Sequence, residues 1–281
     1  MWEKIINKHI SIFLAAIILL TVMLRFWGLT TNPPALTWDE VSWGYNAYTI
    51  GITGRDEFGA LPITYLESFG DFKPPIYAIL TVIPVWVFGM NEFSVRFTSA
   101  FFGSLTVLVT YFLILELFFQ SKNKRYYALA TSFILAISPW HILLSRAAFE
   151  ANVATFFIVV GVYLFLFSTR EKKHLVLLTV SLLSFLAAMY TFNTSRVFLP
   201  IFVPILFIFR YKFLFKNKLY ASLSLLFPLL LSIPLILFML TPQAKLRYEE
   251  VNIFSDIKVI ERVNTQAQNI DNNMLSKLKI P

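Results

Sequence analysis

Two adjacent carboxylates, Asp39 and Glu40, lie between the first long apolar run and Lys73, which precedes Pro74-Pro75. One carboxylate of such a pair can act as a general base while the other assists it or binds a cation. A lysine at a membrane surface can meet a lipid phosphate through charge-assisted hydrogen bonds. Local sequence leaves a plainer reading open for each. Thr37-Trp38-Asp39-Glu40 matches a capping box, in which Glu40 caps a helix and Asp39 complements its dipole. Pro-Pro fixes an extended approach to a helix whose first turn needs no proline N–H, and Lys73 then snorkels toward headgroups.

Other charged residues follow at suggestive spacings. Glu92 and Arg96, with Asn91 as cap, are four apart and are expected to pair along one helix. Arg146 and Glu150 are also four apart, but in the less favourable order, so a purely structural pair is a weaker reading there. Arg196, after Tyr190-Thr191-Phe192-Asn193-Thr194-Ser195, is either an outer-face anchor or a phosphate ligand. Asn193-Thr194-Ser195 is a formal glycosylation triplet of a kind common by chance, and the single His141 makes no metal site. The chain has no phosphate-cradling glycine loop, zinc-protease signature or serine-nucleophile elbow.

These residues are positioned by membrane helices. Of 281 residues 57% are hydrophobic and 14% charged, against about a quarter charged in a soluble domain. The 30 phenylalanines suit lipid-facing helices, and tryptophan and tyrosine gather near span ends. A net charge of +8 would raise nucleic acid as a partner, but the basic residues sit in loops between spans, so none is expected. The absence of cysteine excludes disulfides and thiolate metal sites. Lys4 and Lys8 precede the first apolar run, and the bulky Leu24-Arg25-Phe26-Trp27 offers no cleavage site, so a retained helix is expected.

Seven spans are predicted, near Ile10–Trp27, Val95–Phe119, Tyr126–Ile142, Ala147–Phe167, Leu175–Tyr190, Val197–Phe209 and Leu219–Leu240. With the N-terminus in the cytoplasm, Lys122-Asn123-Lys124-Arg125, Arg170-Glu171-Lys172-Lys173 and Arg210–Lys218 all fall inside, as the positive-inside rule requires. A crossing at Pro75–Phe88 would reverse every later loop, so that stretch reads as a helix in the outer interface. Asp39, Glu40, Asp56, Glu57, Glu67, Asp71, Lys73, Glu92, Arg96, Arg146, Glu150 and Arg196 then share the outer face, which suggests a site there. Loop 28–74 is expected to hold a helix with Val41, Tyr45, Tyr48 and Ile52 at helical spacing, ending in a turn at Thr53-Gly54-Arg55-Asp56. Residues 1–240 form one membrane module, and 241–281 form an outer polar tail.

Taken in order, the outer-face motifs resemble the GT-C glycosyltransferases, and within them glycosyltransferase family 39 with the protein O-mannosyltransferases and aminoarabinose transferases. The resemblance runs through Arg25, Pro33-Pro34, Asp39-Glu40, Gly44, Lys73-Pro74-Pro75, Phe88-Gly89, Glu92, Arg96, Ser99, Gly103, Ser138-Pro139, Ser145-Arg146, Glu150, Ser195-Arg196 and Pro200. It implies an all-α integral membrane fold: a seven-helix module with juxtamembrane helices in the first extracytoplasmic loop. It implies inverting transfer of a sugar from a polyprenyl phosphate to an acceptor hydroxyl or phosphate on a protein, lipid or glycan. The implied setting is a multi-pass protein, in the plasma membrane if prokaryotic, with membrane lipid around it.

The implied roles are Asp39 as base and Glu40 as its assistant. Lys73, Arg96, Arg146 and Arg196 would bind the donor phosphate, with Glu92, Glu150 and Tyr190 in support. If a divalent metal takes part, Glu40 and Asp71 are the candidate ligands. The sequence departs from the pattern in carrying Phe72 directly before the lysine, and Glu150 where relatives often carry aspartate. Full members continue past the seventh span, so a C-terminally incomplete chain is one alternative. A transporter or flippase is another, although it should carry charges at the bilayer midplane and paired halves.

Overall fold

The computed structural model describes residues 2–170 and 175–244, with 261, 262, 265 and 266; of 2–8 it describes the backbone alone. Helix α1 (Trp2–Phe26) leads into a loop, then α2 (Trp38–Thr53), a hairpin of β1 (Leu66–Ser68) and β2 (Asp71–Lys73), and α3 (Ile76–Phe88). Next come α4 (Glu92–Leu117), α5 (Lys124–Ile137), α6 (Pro139–Arg146), α7 (Glu150–Ser168), α8 (Leu175–Met189), α9 (Ser195–Phe209), α10 (Tyr211–Lys216) and α11 (Lys218–Met239). A helix stands at each of the seven predicted spans. Among the described residues α1 from His9, α4, α7 and α11 are long and apolar enough to cross a membrane singly. The remaining predicted spans depart from a straight crossing.

The predicted span Tyr126–Ile142 is two helices, α5 and α6, bent by 57°. Pro139 supplies no N–H, so the carbonyls before it lose helical donors. Arg25 replaces them: Nη1 donates to Ala136 O at 3.2 Å and Nη2 to Leu135 O at 3.4 Å. Its Nη2 also lies 2.7 Å from His141 Nδ1 on α6. The arginine that ends the first span thus holds the break closed. Helices α8 and α9 have 15 residues each, short of the ~20 that a perpendicular crossing needs.

The hairpin was not expected in an all-α reading. Its strands pair antiparallel with Leu66 opposite Lys73 and Ser68 opposite Asp71. Phe69 and Gly70 turn it with φ of 53° and 77°, the positive angles that two-residue hairpin loops require. The usual Asn-Gly or Asp-Gly signal is absent, and a phenylalanine at positive φ gives sequence reasoning nothing to find.

The α2 helix forms as expected, capped by Thr37 and ended by Gly54 at φ 72°. Its apolar stripe of Val41, Tyr45, Tyr48 and Ile52 faces outward, while Trp43, Gly44 and Ala47 are buried against the bundle. Gly44 permits this close approach: a Cβ there would meet Val95 Cγ2 of α4 at 2.7 Å. Trp43, Leu66, Tyr77, Ala78, Val95, Ala148 and Val153 form one core beneath the outer loop. At the opposite end of α4, Arg170 bonds Glu116 at 3.2 Å and covers the Phe119 ring at 3.9 Å. Phe165, Leu178, Leu214 and Tyr220 pack together at the α7, α8, α10 and α11 ends. The predicted tail lies outside the described residues from 245 onward, apart from the four above, as do 171–174 of the basic loop.

Candidate active site

The first turn of α2 carries both carboxylates, and the fold gives them opposite environments. Glu40 is 2% exposed and fully engaged. Its Oε1 accepts from Arg96 Nε at 2.8 Å and the Ala148 amide at 3.1 Å. Its Oε2 accepts from the Thr37 amide at 2.8 Å and Arg96 Nη2 at 3.3 Å. Burial alone would raise the Glu40 pKa; bonds from Arg96, Thr37 and Ala148 outweigh it and hold the carboxyl below its ordinary value. The capping box is therefore real, but it is one corner of a larger joint. As a candidate metal ligand Glu40 is poorly placed, since its four acceptor sites are filled. Nor do the described residues hold any group of three His, Cys, Asp or Glu able to grip a cation. Asp71, the other candidate, accepts its neighbour Phe72's amide at 2.8 Å.

Asp39 is 65% exposed at its side chain and meets Lys73 Nζ at 2.5 Å. The ammonium also lies 5.2 Å from the Trp43 ring centroid. Ser42 on α2 donates to Ser68 of the hairpin at 2.7 Å, tying the acid's helix to the lysine's strand. The two motifs, 34 residues apart in sequence, thus meet at one point.

The other arginines correct the sequence reading. Arg96 does not pair with Glu92. Besides Glu40, it donates to Leu29 O at 3.1 Å, Pro33 O at 2.7 Å and Ala35 O at 2.8 Å, so all five N–H groups are used. Glu92 instead lines an open groove of about 230 Å³ with Leu36, Val41, Gly44, Met90 and Asn91. Arg146 does not pair with Glu150, because α6 ends at Arg146 and the extended Ala147 starts the link to α7. Its guanidinium donates to the carbonyls of Leu24 at 3.0 Å, Trp27 at 2.8 Å, Gly28 at 3.1 Å and Asn32 at 2.8 Å. Arg96 and Arg146 are thus anchors of the loop before α2, Arg96 with all five N–H groups and Arg146 with four bonds to carbonyls.

Arg196 and Tyr190 support the far side of the lysine. Arg196 donates to Met189 O at 3.1 Å and to Thr64 O, before the hairpin, at 3.2 Å. It also lies over the Phe238 ring at 5.3 Å. Phe238 stacks on Tyr65 at 4.9 Å, and Tyr65 meets Phe72 edge-on at 5.2 Å. Tyr190 donates through its hydroxyl to Leu231 O at 2.9 Å, and its carbonyl accepts from the Ile76 amide at 3.2 Å just after Pro74-Pro75. Glu150 stands in the first turn of α7, and Tyr77 is buried. Burial and the charges of Glu150 and Glu40 push that phenol well above its ordinary range, so it stays a neutral donor, to Val95 O at 3.0 Å.

An exposed acid beside an enclosed ammonium suits proton removal next to a departing anion. Sequence reasoning missed Trp43, Tyr65 and Phe238, since aromatics are too frequent in this chain for any one to stand out.

Comparison with known proteins shows the family and the fold. The family described as dolichyl-phosphate-mannose-protein mannosyltransferase matches residues 15–246. An uncharacterized protein of Aquifex aeolicus (strain VF5) is 32% identical over 158 residues, covering 55% of this chain and 30% of that protein. ArnT from Cupriavidus metallidurans, solved in the apo state and bound to undecaprenyl phosphate, is similar in fold. Each ArnT structure gives a TM-score of 0.61 at 13% identity, over 89% of this chain and 44% of that one. The chain spans less than half the length of either relative. The fold is the GT-C membrane fold that the motif order implies, and the protein is an integral, multi-pass membrane protein.

Proposed function

Because the chain belongs to the dolichyl-phosphate-mannose-protein mannosyltransferase family, we propose that it transfers a sugar from a polyprenyl-phosphate donor to an acceptor at the outer membrane face. The observation that carries this reading is the contact of exposed Asp39 with enclosed Lys73. Asp39 takes the proton of an acceptor hydroxyl or phosphate. The acceptor oxygen bonds to the anomeric carbon from the face opposite the phosphate, and the carbon–phosphate oxygen bond breaks with inversion. The electron pair leaves on the polyprenyl phosphate, whose charge Lys73 receives in a partly desolvated cleft. Arg196, Glu150 and Tyr190 support the cleft walls. Glu40, Arg96 and Arg146 hold the loop that aims Asp39, and no step needs a metal.

The same architecture supports a sidedness for this reading. The basic clusters sit at the α4–α5, α7–α8 and α9–α11 junctions, whereas the acid–lysine cleft lies at the other end of α4. Under the positive-inside rule this distribution supports a site outside and an N-terminus in the cytoplasm. Residues 1–240 serve as the catalytic module of this reading. Sugar transfer from a panel of polyprenyl-phosphate sugars, in nanodiscs, tests the reading. Turnover of one donor that disappears in Asp39→Asn supports it, and a well-folded protein that turns over no donor counts against it.

A further inference from the structure

The Asp39–Lys73 pair is unequal. The Lys73 side chain retains 9% of its exposure and that of Asp39 65%. Lys73 is fixed along its length. Its backbone closes the hairpin opposite Leu66, two prolines follow, and its ammonium lies over the Trp43 indole. Trp43 is in turn 1% exposed and set against Tyr77 with ring centroids 5.3 Å apart. Asp39 stands on an exposed helical turn, and among the described residues its carboxylate bonds only to Lys73. The enclosed ammonium thus meets an exposed carboxylate.

We propose that Asp39 is an exchangeable counter-ion: it holds the donor phosphate's place on Lys73 until the phosphate arrives, and is then released as the base. This rests on Lys73 being the donor-phosphate ligand, as proposed above. Of the two partners only Asp39 is free to move away, so the exchange leaves Lys73 in place. Trp43 is the positioning residue, keeping the ammonium over the indole face through cation–π attraction. The base is neutralised while the cleft is empty and becomes available once donor is bound, which orders donor before acceptor activation.

The test is binding of undecaprenyl phosphate to the full chain in nanodiscs at low salt. Asp39→Asn should bind about two- to fivefold tighter than wild type, because an internal competitor worth an exposed ion pair is gone. In a Lys73→Met background the same substitution should give no gain. An Asp39→Asn variant no tighter than wild type overturns the exchange. A gain that persists with Lys73→Met overturns it too, because general repulsion then explains the effect. Trp43→Phe should bind as wild type and Trp43→Leu about fivefold more weakly; equal binding of the two removes Trp43 from the proposal. If no variant binds the lipid, the donor reading itself fails. The pair is then read without lipid, from Lys73 acylation followed by mass spectrometry. Asp39→Asn should speed that acylation severalfold, and an unchanged rate would show that Asp39 does not occupy the ammonium.

Discussion

Glu40 and Arg96, 56 residues apart, are joined by hydrogen bonds of 2.8 and 3.3 Å in a site from which water is excluded. The two adjacent acids of α2 therefore divide the work. Glu40 is buried in the scaffold, and Asp39 stays exposed beside Lys73. The Ala148 amide on Glu40 and the loop carbonyls on Arg96 bring the α1–α2 loop, α4 and the α6–α7 link to one point.

Breaking this joint should unfold the protein more than it blunts chemistry. Arg96→Ala or Glu40→Ala leaves a buried charge without its partner, a loss of about 3–5 kcal/mol. Glu40→Gln, which keeps some acceptor capacity, should lose less. Thermal unfolding in detergent measures this, and an Arg96→Ala protein as stable as wild type would mean the pair does not hold the loop.

Acid should act through the same carboxylate. The Glu40 pKa is lowered from 4.5 in the fold, so the unfolded chain binds its proton first as pH falls. Its contribution to stability is complete above the unfolded value and fades as pH drops through the lower folded value. Wild type should lose Tm below about pH 4.5 by more than Glu40→Gln does. Parallel curves for the two would remove Glu40 as a source of acid sensitivity.

Asp39→Asn should lower sugar transfer by about 10²–10⁴-fold, the range of general base catalysis. Expression and membrane insertion should stay intact, since Asp39 is exposed and its pair is not buried on both sides. Full transfer activity in this variant would show that another group takes the proton.

If Lys73 receives the donor phosphate as proposed, Lys73→Ala should raise the KM for the donor more than that for the acceptor. Steady-state kinetics with each substrate varied in turn decide this. Equal effects on both would make the lysine a structural residue of the hairpin.

Arg25→Ala should destabilise the protein by about 1–3 kcal/mol by stripping donors from Leu135 O and Ala136 O at the α5–α6 bend. Arg25→Lys should recover part of this loss. Unchanged thermal unfolding in Arg25→Ala would show that the bend is held by Pro139 alone.

The apolar runs, the basic loops and the Thr37–Glu40 capping box were legible because each is a local pattern. Hydrophobic length places helices, and a cap acts across three residues. The ordered motifs from Arg25 to Pro200 identified the fold family for the same reason: they keep their sequence when the fold is kept. Spacing misled where a local rule met a non-local competitor. Four residues separate Glu92 from Arg96, but Glu40 offers the guanidinium a buried, bidentate partner that an exposed helix pair cannot match. Four residues also separate Arg146 from Glu150, yet a helix break between them removes the geometry on which the rule depends. The sequence by itself determined a helical membrane bundle with its charges sorted to two ends, and named Asp39, Glu40 and Lys73 as separate residues of chemical interest. Only the tertiary structure decided which charges are spent on backbone carbonyls and which remain open to a substrate. Burial and hydrogen-bond saturation are set by what other elements bring to a residue, and no local pattern records that.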